Sequence, residues 1–218
     1  MSKPRIKICC ISSVDEARAA VAAGAAALGL VGPMPSGPGV ITDDEIYAIA
    51  KEVPPPVATF LLTSETQAAD VVAHYRRVET NTIQLVDALA DKDYKAIRAQ
   101  LPAVKLVQVV HVLDDASVDE ACEAAAEADA VLLDSGNPNL AVKELGGTGR
   151  VHNWDLSRKI VETCGKPVFL AGGIRAGNVR EAFEKVGPFG FDLCSSVRTG
   201  GRLDPAKLDA FFAEVERL

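Results

Sequence analysis

The chain has 218 residues, 48% of them hydrophobic, and a net charge of −7, which describes an acidic globule with enough apolar material for a full core. That length suits one α/β barrel or one or two ordinary domains, and residues 1–218 read as a single domain with no linker in between. The acidity and the lack of a long basic run argue against nucleic acid as a partner, and no run of about 18 or more apolar residues is present to span a membrane.

The opening MSKPRIKICC lacks the apolar segment of a secretion signal, so the expected localisation is cytoplasmic. The five cysteines, Cys9, Cys10, Cys122, Cys164 and Cys194, are scattered and form no C-x-x-C pair, which reads as reduced thiols. His74, His111 and His152 have no metal-ligand spacing, and the few aromatics make base-stacking platforms a poor reading.

In chain order, a strand-like apolar run at 6–9 precedes an amphipathic, alanine- and charge-rich segment at 14–23, and the pattern then repeats. Further strand-like runs fall at 27–31, 57–62, 82–86, 105–110, 130–133, 168–171 and 190–193. The helical segments between and after them are 43–52, 65–77, 91–100, 117–127, 155–163, 178–185 and 205–217, with apolar residues at three- and four-residue steps such as Ile46, Ile49 and Ala50. Ser13, Thr42 and Asp204-Pro205 stand where helix starts are expected. Strands alternating with helices mean a parallel sheet, and eight such units favour closure into a (β/α)8 TIM barrel. An open doubly wound sheet is the alternative, but no G-x-G-x-x-G follows the first strand. Pro54-Pro55-Pro56 is a stiff connection, and the irregular stretches at 32–41 and 135–153 follow strands, where a barrel carries its substrate loops.

Three glycine- or serine-rich turns crowd the last third: Gly146-Gly147-Thr148-Gly149, Ala171-Gly172-Gly173-Ile174 and Cys194-Ser195-Ser196. Turns of this kind present unpaired backbone N–H groups, and after the last two strands of a barrel they hold phosphate. Gly147, Gly172, Gly173, Ser195 and Ser196 are therefore the candidate phosphate-binding residues, and a small phosphorylated metabolite is the expected partner. The competing reading is glycine that only permits tight turns.

Cys9 ends the first strand and shares its parity with Lys7, so both are expected on the inner face. A thiolate at the mouth can act as a general base beside a positive charge; the competing reading is a small buried filler. Cys10 has the opposite parity and is expected to face the helices. Asp134 directly follows a buried run, as a general acid or base would, or as an aspartate that bonds its own turn. Asp192 reads as an inner residue held by hydrogen bonds, His111 as a residue that reaches the mouth or a bystander, and Trp154 as packing.

These residues, in order and nearly end to end, resemble the phosphoribosylanthranilate isomerase family, barrel enzymes of tryptophan biosynthesis. Lys7-Ile8-Cys9 is similar to the family's opening K-I-C, Ala23-Gly24-Ala25 with Ala27-Leu28-Gly29 to its A-G-A-D-A-L-G-F, and Ile83-Gln84-Leu85 to its V-Q-L. Leu132-Leu133-Asp134, the Gly146–Gly149 turn with Trp154, Leu170-Ala171-Gly172-Gly173 with Asn178-Val179, and Asp192 with Ser195 also have counterparts. The resemblance implies an Amadori rearrangement of an N-(5-phosphoribosyl) amine, an aldose–ketose isomerisation needing no metal or organic cofactor. It implies Asp134 as general acid on the ring oxygen and Cys9 as general base at C2, in a monomer or homodimer. Lys7, Gln84, His111, Arg175 and Arg198 are the further candidate substrate contacts.

The departures from the family pattern fall near the expected mouth. The family's K-I-C-G becomes Cys9-Cys10, its S-P-R-x-V-S becomes the segment 37–42 with Gly39 in the arginine's place, its Q-L-H-G becomes Gln84-Leu85-Val86-Asp87, and its S-S-G-V-E ends in Arg198. Loss of an arginine paired with a carboxylate costs on the order of 1.5–3 kcal/mol of binding. Either Arg198 reads the anthranilate carboxylate instead, or the enzyme acts on a different phosphosugar amine, in which case arginine restored at position 39 is expected to raise activity on the anthranilate compound. A non-catalytic sugar-phosphate binder is the remaining alternative.

Overall fold

The structure, a computed structural model, describes residues 3–35, 37–136 and 152–218. Among them, eight parallel strands hydrogen-bond in sequence order: β1 (Arg5–Ile8), β2 (Ala27–Val31), β3 (Ala58–Thr63), β4 (Thr82–Leu85), β5 (Lys105–His111), β6 (Ala130–Asp134), β7 (Val168–Leu170) and β8 (Gly190–Leu193). The last strand returns to the first with Lys7 opposite Asp192 and Ile8 opposite Leu193, so the sheet is a closed barrel and the open-sheet alternative falls away. Between the strands run α1 (Val14–Ala23), α2 (Asp43–Glu52), α3 (Ala68–Val78), α4 (Tyr94–Gln100), α5 (Ala116–Glu127), α6 (Trp154–Thr163) and α7 (Val179–Val186). After β8 a short antiparallel ribbon, β9 (Arg198–Thr199) and β10 (Arg202–Leu203), leads into α8 (Pro205–Glu216).

Alternation along the strands divides the apolar residues between two compartments. Ile6, Ile8, Leu28, Leu30, Phe191 and Leu193 pack outward against the helices, with Trp154 in the same layer. Ala27, Phe60, Leu62, Val107, Leu132 and Phe169 fill the barrel. Phe60 meets Phe169 edge to face across the lumen at 6.0 Å between centroids.

The helices start where their capping residues put them. The Ser13 hydroxyl accepts from the Glu16 N–H, Thr42 and Glu45 form a reciprocal capping box, and Asp204 caps α8 with Pro205 in its first turn. The segment at 91–100 behaves differently from its periodicity. Asp91 and Lys92 take positive φ (55° and 50°), Ala90–Lys92 forms one 3-10 turn, and the helix restarts at Tyr94 with Asp93 accepting from the Ala96 N–H. The third helix begins at Ala68 rather than at residue 65, because Gln67 is its extended N-cap.

One expectation about direction is overturned. Cys10 does not face the helices: its φ is 62°, and this left-handed kink just after β1 turns the side chain back into the inner cluster beside Cys9. Alternation of side chains holds only where the backbone is extended, and at Cys10 it is not.

Candidate active site

A cavity opens at the C-terminal ends of the strands. Its walls come from Cys9 and Cys10 after β1, Val31, Met34 and Pro38 from β2 and its loop, Leu62, Gln84 and Val86 from β3 and β4, and Asp134 from β6. The turns Ala171–Ile174 after β7 and Cys194–Ser196 after β8 complete it, with Asp192 at its base.

Lys7 lies under this cavity and does not line it; its side chain is fully buried. It donates to Asp192 Oδ1 at 2.9 Å and sits 5.3 Å from the Phe60 ring centroid. Burial alone would push the ammonium toward its neutral form, but the Asp192 carboxylate and the Cys9 sulfur more than reverse this, so its pKa is raised and it stays charged. Lys7 is therefore a fixed positive charge beneath the cavity, which corrects its assignment as a substrate contact.

Cys9, unlike Lys7, lines the cavity. A β-carbon on Gly29 of the adjoining strand would lie 2.9 Å from Cys9 Sγ and 3.0 Å from Lys7 Nζ, so thiol and ammonium share the room that this glycine leaves. Gly29 is a site residue that the motif reading passed over, because its effect appears only once β1 and β2 are paired.

Asp134 ends β6 opposite His111 in the register and is almost wholly buried. Burial raises its pKa above the ordinary carboxylate value, with the Ser135 N–H (2.7 Å) and Lys7 pulling in the opposite direction. The carboxyl thus holds a proton more strongly than an exposed aspartic acid. Gln84 lines the cavity and its buried Oε1 has no hydrogen-bond partner among the described residues. Both ring nitrogens of His111 are in the same condition, but His111 stands outside the cavity wall, and burial lowers its pKa. His74 is structural: buried between Thr63 Oγ1 (2.9 Å) and Asp43 Oδ1 (3.0 Å), it ties α3 to β3 and α2.

Both late turns flank the cavity. Gly172 and Gly173 take positive φ (77° and 66°), and the N–H groups of Gly172, Gly173, Ser195 and Ser196 donate to no backbone carbonyl among the described residues. Asn178 ties the first turn down, bonding the Gly173 carbonyl and the Arg175 N–H. The Arg175 guanidinium is exposed and folds onto the Gly173 carbonyl at 3.3 Å, at the edge of the turn that lines the cavity. Gly147 and the rest of its turn lie outside the described residues.

Arg198 also departs from expectation. Its Nη2 donates to the carbonyls of Cys9 (3.1 Å) and Cys10 (2.6 Å), and its Nη1 to Glu16 Oε1 (3.1 Å) and the Gly201 carbonyl (3.0 Å). Glu16 in turn accepts from the Leu203 and Ser12 N–H groups. Burial pushes the Glu16 carboxyl up, but these N–H groups and Arg198 outweigh it, and its pKa is lowered. With both terminal nitrogens committed, Arg198 is a clamp on the segment that carries Cys9 and does not reach the cavity.

A thiol beside a fixed cation, a carboxyl pushed toward its acid form and a rim of N–H groups that donate to no backbone carbonyl among the described residues can together hold a phosphorylated molecule and move protons at two of its atoms. Comparison with known proteins agrees with the barrel. A solved N-(5'-phosphoribosyl)anthranilate isomerase from Pyrococcus furiosus superposes with a TM-score of 0.81 at 21% identity, covering 99% of this chain and 100% of that one. A phosphoribosyl anthranilate isomerase in complex with reduced 1-(o-carboxyphenylamino)-1-deoxyribulose 5-phosphate superposes with a TM-score of 0.78 at 23% identity, over 99% and 100% of the two chains. The N-(5'-phosphoribosyl)anthranilate isomerase of Methanocella arvoryzae is 32% identical over 214 residues, 98% of each chain. Residues 6–214 match the family model described as N-(5'phosphoribosyl)anthranilate (PRA) isomerase, and the chain belongs to that family.

Proposed function

We propose that the protein isomerises N-(5'-phosphoribosyl)anthranilate by an Amadori rearrangement, with Asp134 as general acid and Cys9 as general base. The observation that carries this reading is that two groups suited to opposite roles share one cavity: a buried carboxyl pushed toward its acid form and a thiol that shares the space beside Gly29 with the charged Lys7. The phosphate docks on the N–H groups of Gly172, Gly173, Ser195 and Ser196.

Asp134 gives its proton to the furanose ring oxygen as the C1–O bond breaks, and the nitrogen lone pair forms the C1=N bond of a cationic Schiff base. The Cys9 thiolate then removes the proton at C2, and the C2–H electrons become the C1=C2 bond of an enolamine. Tautomerisation gives the 2-ketone with a C1 amine. Lys7 holds positive charge beside the sulfur while it is anionic, and acid and base suffice without a cofactor. A protein that only gripped sugar phosphate would have no use for the buried Lys7–Asp192 pair beside Cys9.

The test is loss of fluorescence of freshly made phosphoribosylanthranilate. Turnover is expected in the parent protein and not in Cys9→Ala or Asp134→Asn, with the fold intact in both. Full activity in either variant would remove that residue from the mechanism. No turnover in the folded parent would favour a different aglycone, the reading that Gly39 motivates.

A further inference from the structure

Four of the five cysteines, distant in sequence, meet in two pairs of free thiols. On the outside, Cys122 Sγ of α5 lies 2.7 Å from Cys164 Sγ at the end of α6. At the cavity, Cys10 Sγ lies 2.6 Å from Cys194 Sγ. The second pair has features that the first lacks. Both of its residues line the cavity, one following Cys9 and the other preceding Ser195.

The backbone sets this meeting. β1 and β8 are paired up to Ile8 and Leu193, and the Cys9 N–H donates to the Leu193 carbonyl at 2.7 Å, which brings the chain just beyond both strands together. Cys10 then adopts the left-handed conformation, in which a glycine would cost less, and its thiol points at Cys194. Cys194 is the more accessible of the two, and Cys10 is buried. Donation from the Cys10 S–H, aided by Arg198 and Lys7, lowers the Cys194 pKa against burial, and the same bond raises that of Cys10. The more accessible Cys194 sulfur is thus placed to meet a reagent first, with the buried Cys10 sulfur 2.6 Å away.

We infer that Cys10 and Cys194 are a thiol-modification site for small-molecule disulfides, closing by exchange into a reversible Cys10–Cys194 disulfide that slows turnover. The Cys194 thiolate attacks one sulfur of the small disulfide and expels the other half as a thiolate, leaving a mixed disulfide. Cys10 loses its proton to that departing thiolate and attacks the Cys194 sulfur, expelling the second half. Two protein thiols are oxidised, one small disulfide is reduced to two thiols, and a reducing dithiol reverses both steps. Closure takes Cys10 from its contact with the Pro38 carbonyl and ties the segment bearing Cys9 to the turn bearing Ser195, so the base and the phosphate site no longer adjust independently. The bridge itself does not depend on the isomerase reading; its effect on turnover does.

The experiment treats the purified chain with oxidised glutathione, blocks the remaining thiols, and maps the peptides without reduction. The expected result is a peptide containing Cys10 joined to one containing Cys194, released by dithiothreitol, with turnover lower by at least about tenfold and restored on reduction. In Cys194→Ser the same treatment is expected to leave turnover where that variant has it untreated. Glutathione adducts without the joined peptide overturn the inference. So does a bridged protein as active as the reduced one, or an equal reversible loss in Cys194→Ser, which would place the effect on Cys9 or the outer pair. A protein inactive even when reduced counts against the isomerase reading, and the peptide map then decides the bridge alone.

Discussion

Cys10 occupies the space that a side chain at position 39 would need: a β-carbon on Gly39 would lie 2.5 Å from Cys10 Cβ and 3.1 Å from its Sγ. Gly39 also takes φ +77°, which L residues avoid. The Cys10 side chain and any side chain at position 39 therefore compete for one space.

Gly39→Arg is therefore expected to lower stability, by about 2–5 kcal/mol from overpacking and left-handed strain together, and not to raise activity on the anthranilate compound. This departs from the gain expected if the enzyme acts on a different phosphosugar amine. Urea unfolding of the single variant and of Cys10→Gly/Gly39→Arg checks it, since removing the Cys10 side chain should recover the overpacking part. A single variant as stable as the parent would show that the loop yields freely.

Gly29→Ala is expected to damage catalysis more than folding. The added methyl would press on both Cys9 Sγ and Lys7 Nζ, displacing the base from the charge beside it. A misplacement of this kind costs on the order of a hundredfold in turnover, against about 1–3 kcal/mol of stability. Steady-state kinetics beside a melting curve separates the two, and a variant with parental kcat would mean that the spacing of Cys9 and Lys7 does not matter.

The barrel was legible because strand and helix periods alternate eight times and because Ser13, Thr42 and Asp204 mark helix starts by side-chain chemistry that is local in sequence. What escaped depended on contacts across the closed sheet or on backbone that side chains rarely adopt. Cys10 and Asp91 carry positive φ without being glycine, which neither parity nor helical periodicity anticipates. Arg198 was visible as a charge reversal, but its partner Glu16 lies at the other end of the chain. Cys10 and Cys194, 184 positions apart, are neighbours only because β8 returns to β1.

Arg198→Met is expected to lower kcat with little change in KM, because the guanidinium holds the carbonyls of Cys9 and Cys10 and does not reach the cavity. It also leaves the half-buried Glu16 carboxylate with only its Leu203 and Ser12 N–H partners, at a cost of about 1–3 kcal/mol. Arg198→Lys, which keeps the charge but loses the fork, should fall between the two. A rise in KM with kcat unchanged would instead make Arg198 a substrate contact.

His152, just before α6, sets an acid limit on stability. Burial pushes its pKa down to about 4 from 6.5; Nε2 bonds Ser157 Oγ at 2.8 Å, and Nδ1 is buried without a partner among the described residues. The native state therefore keeps the ring neutral where the unfolded chain already protonates it. The resulting stability is fully present above about pH 6.5 and is lost as pH falls toward 4, by about 3 kcal/mol. His74 and His111, also lowered by burial, add losses in the same direction. His152→Gln isolates its share: chemical unfolding at pH 7 and pH 4 should show a smaller drop in the variant than in the parent. Equal drops would mean that His152 gains its proton in the native state as readily as in the unfolded one.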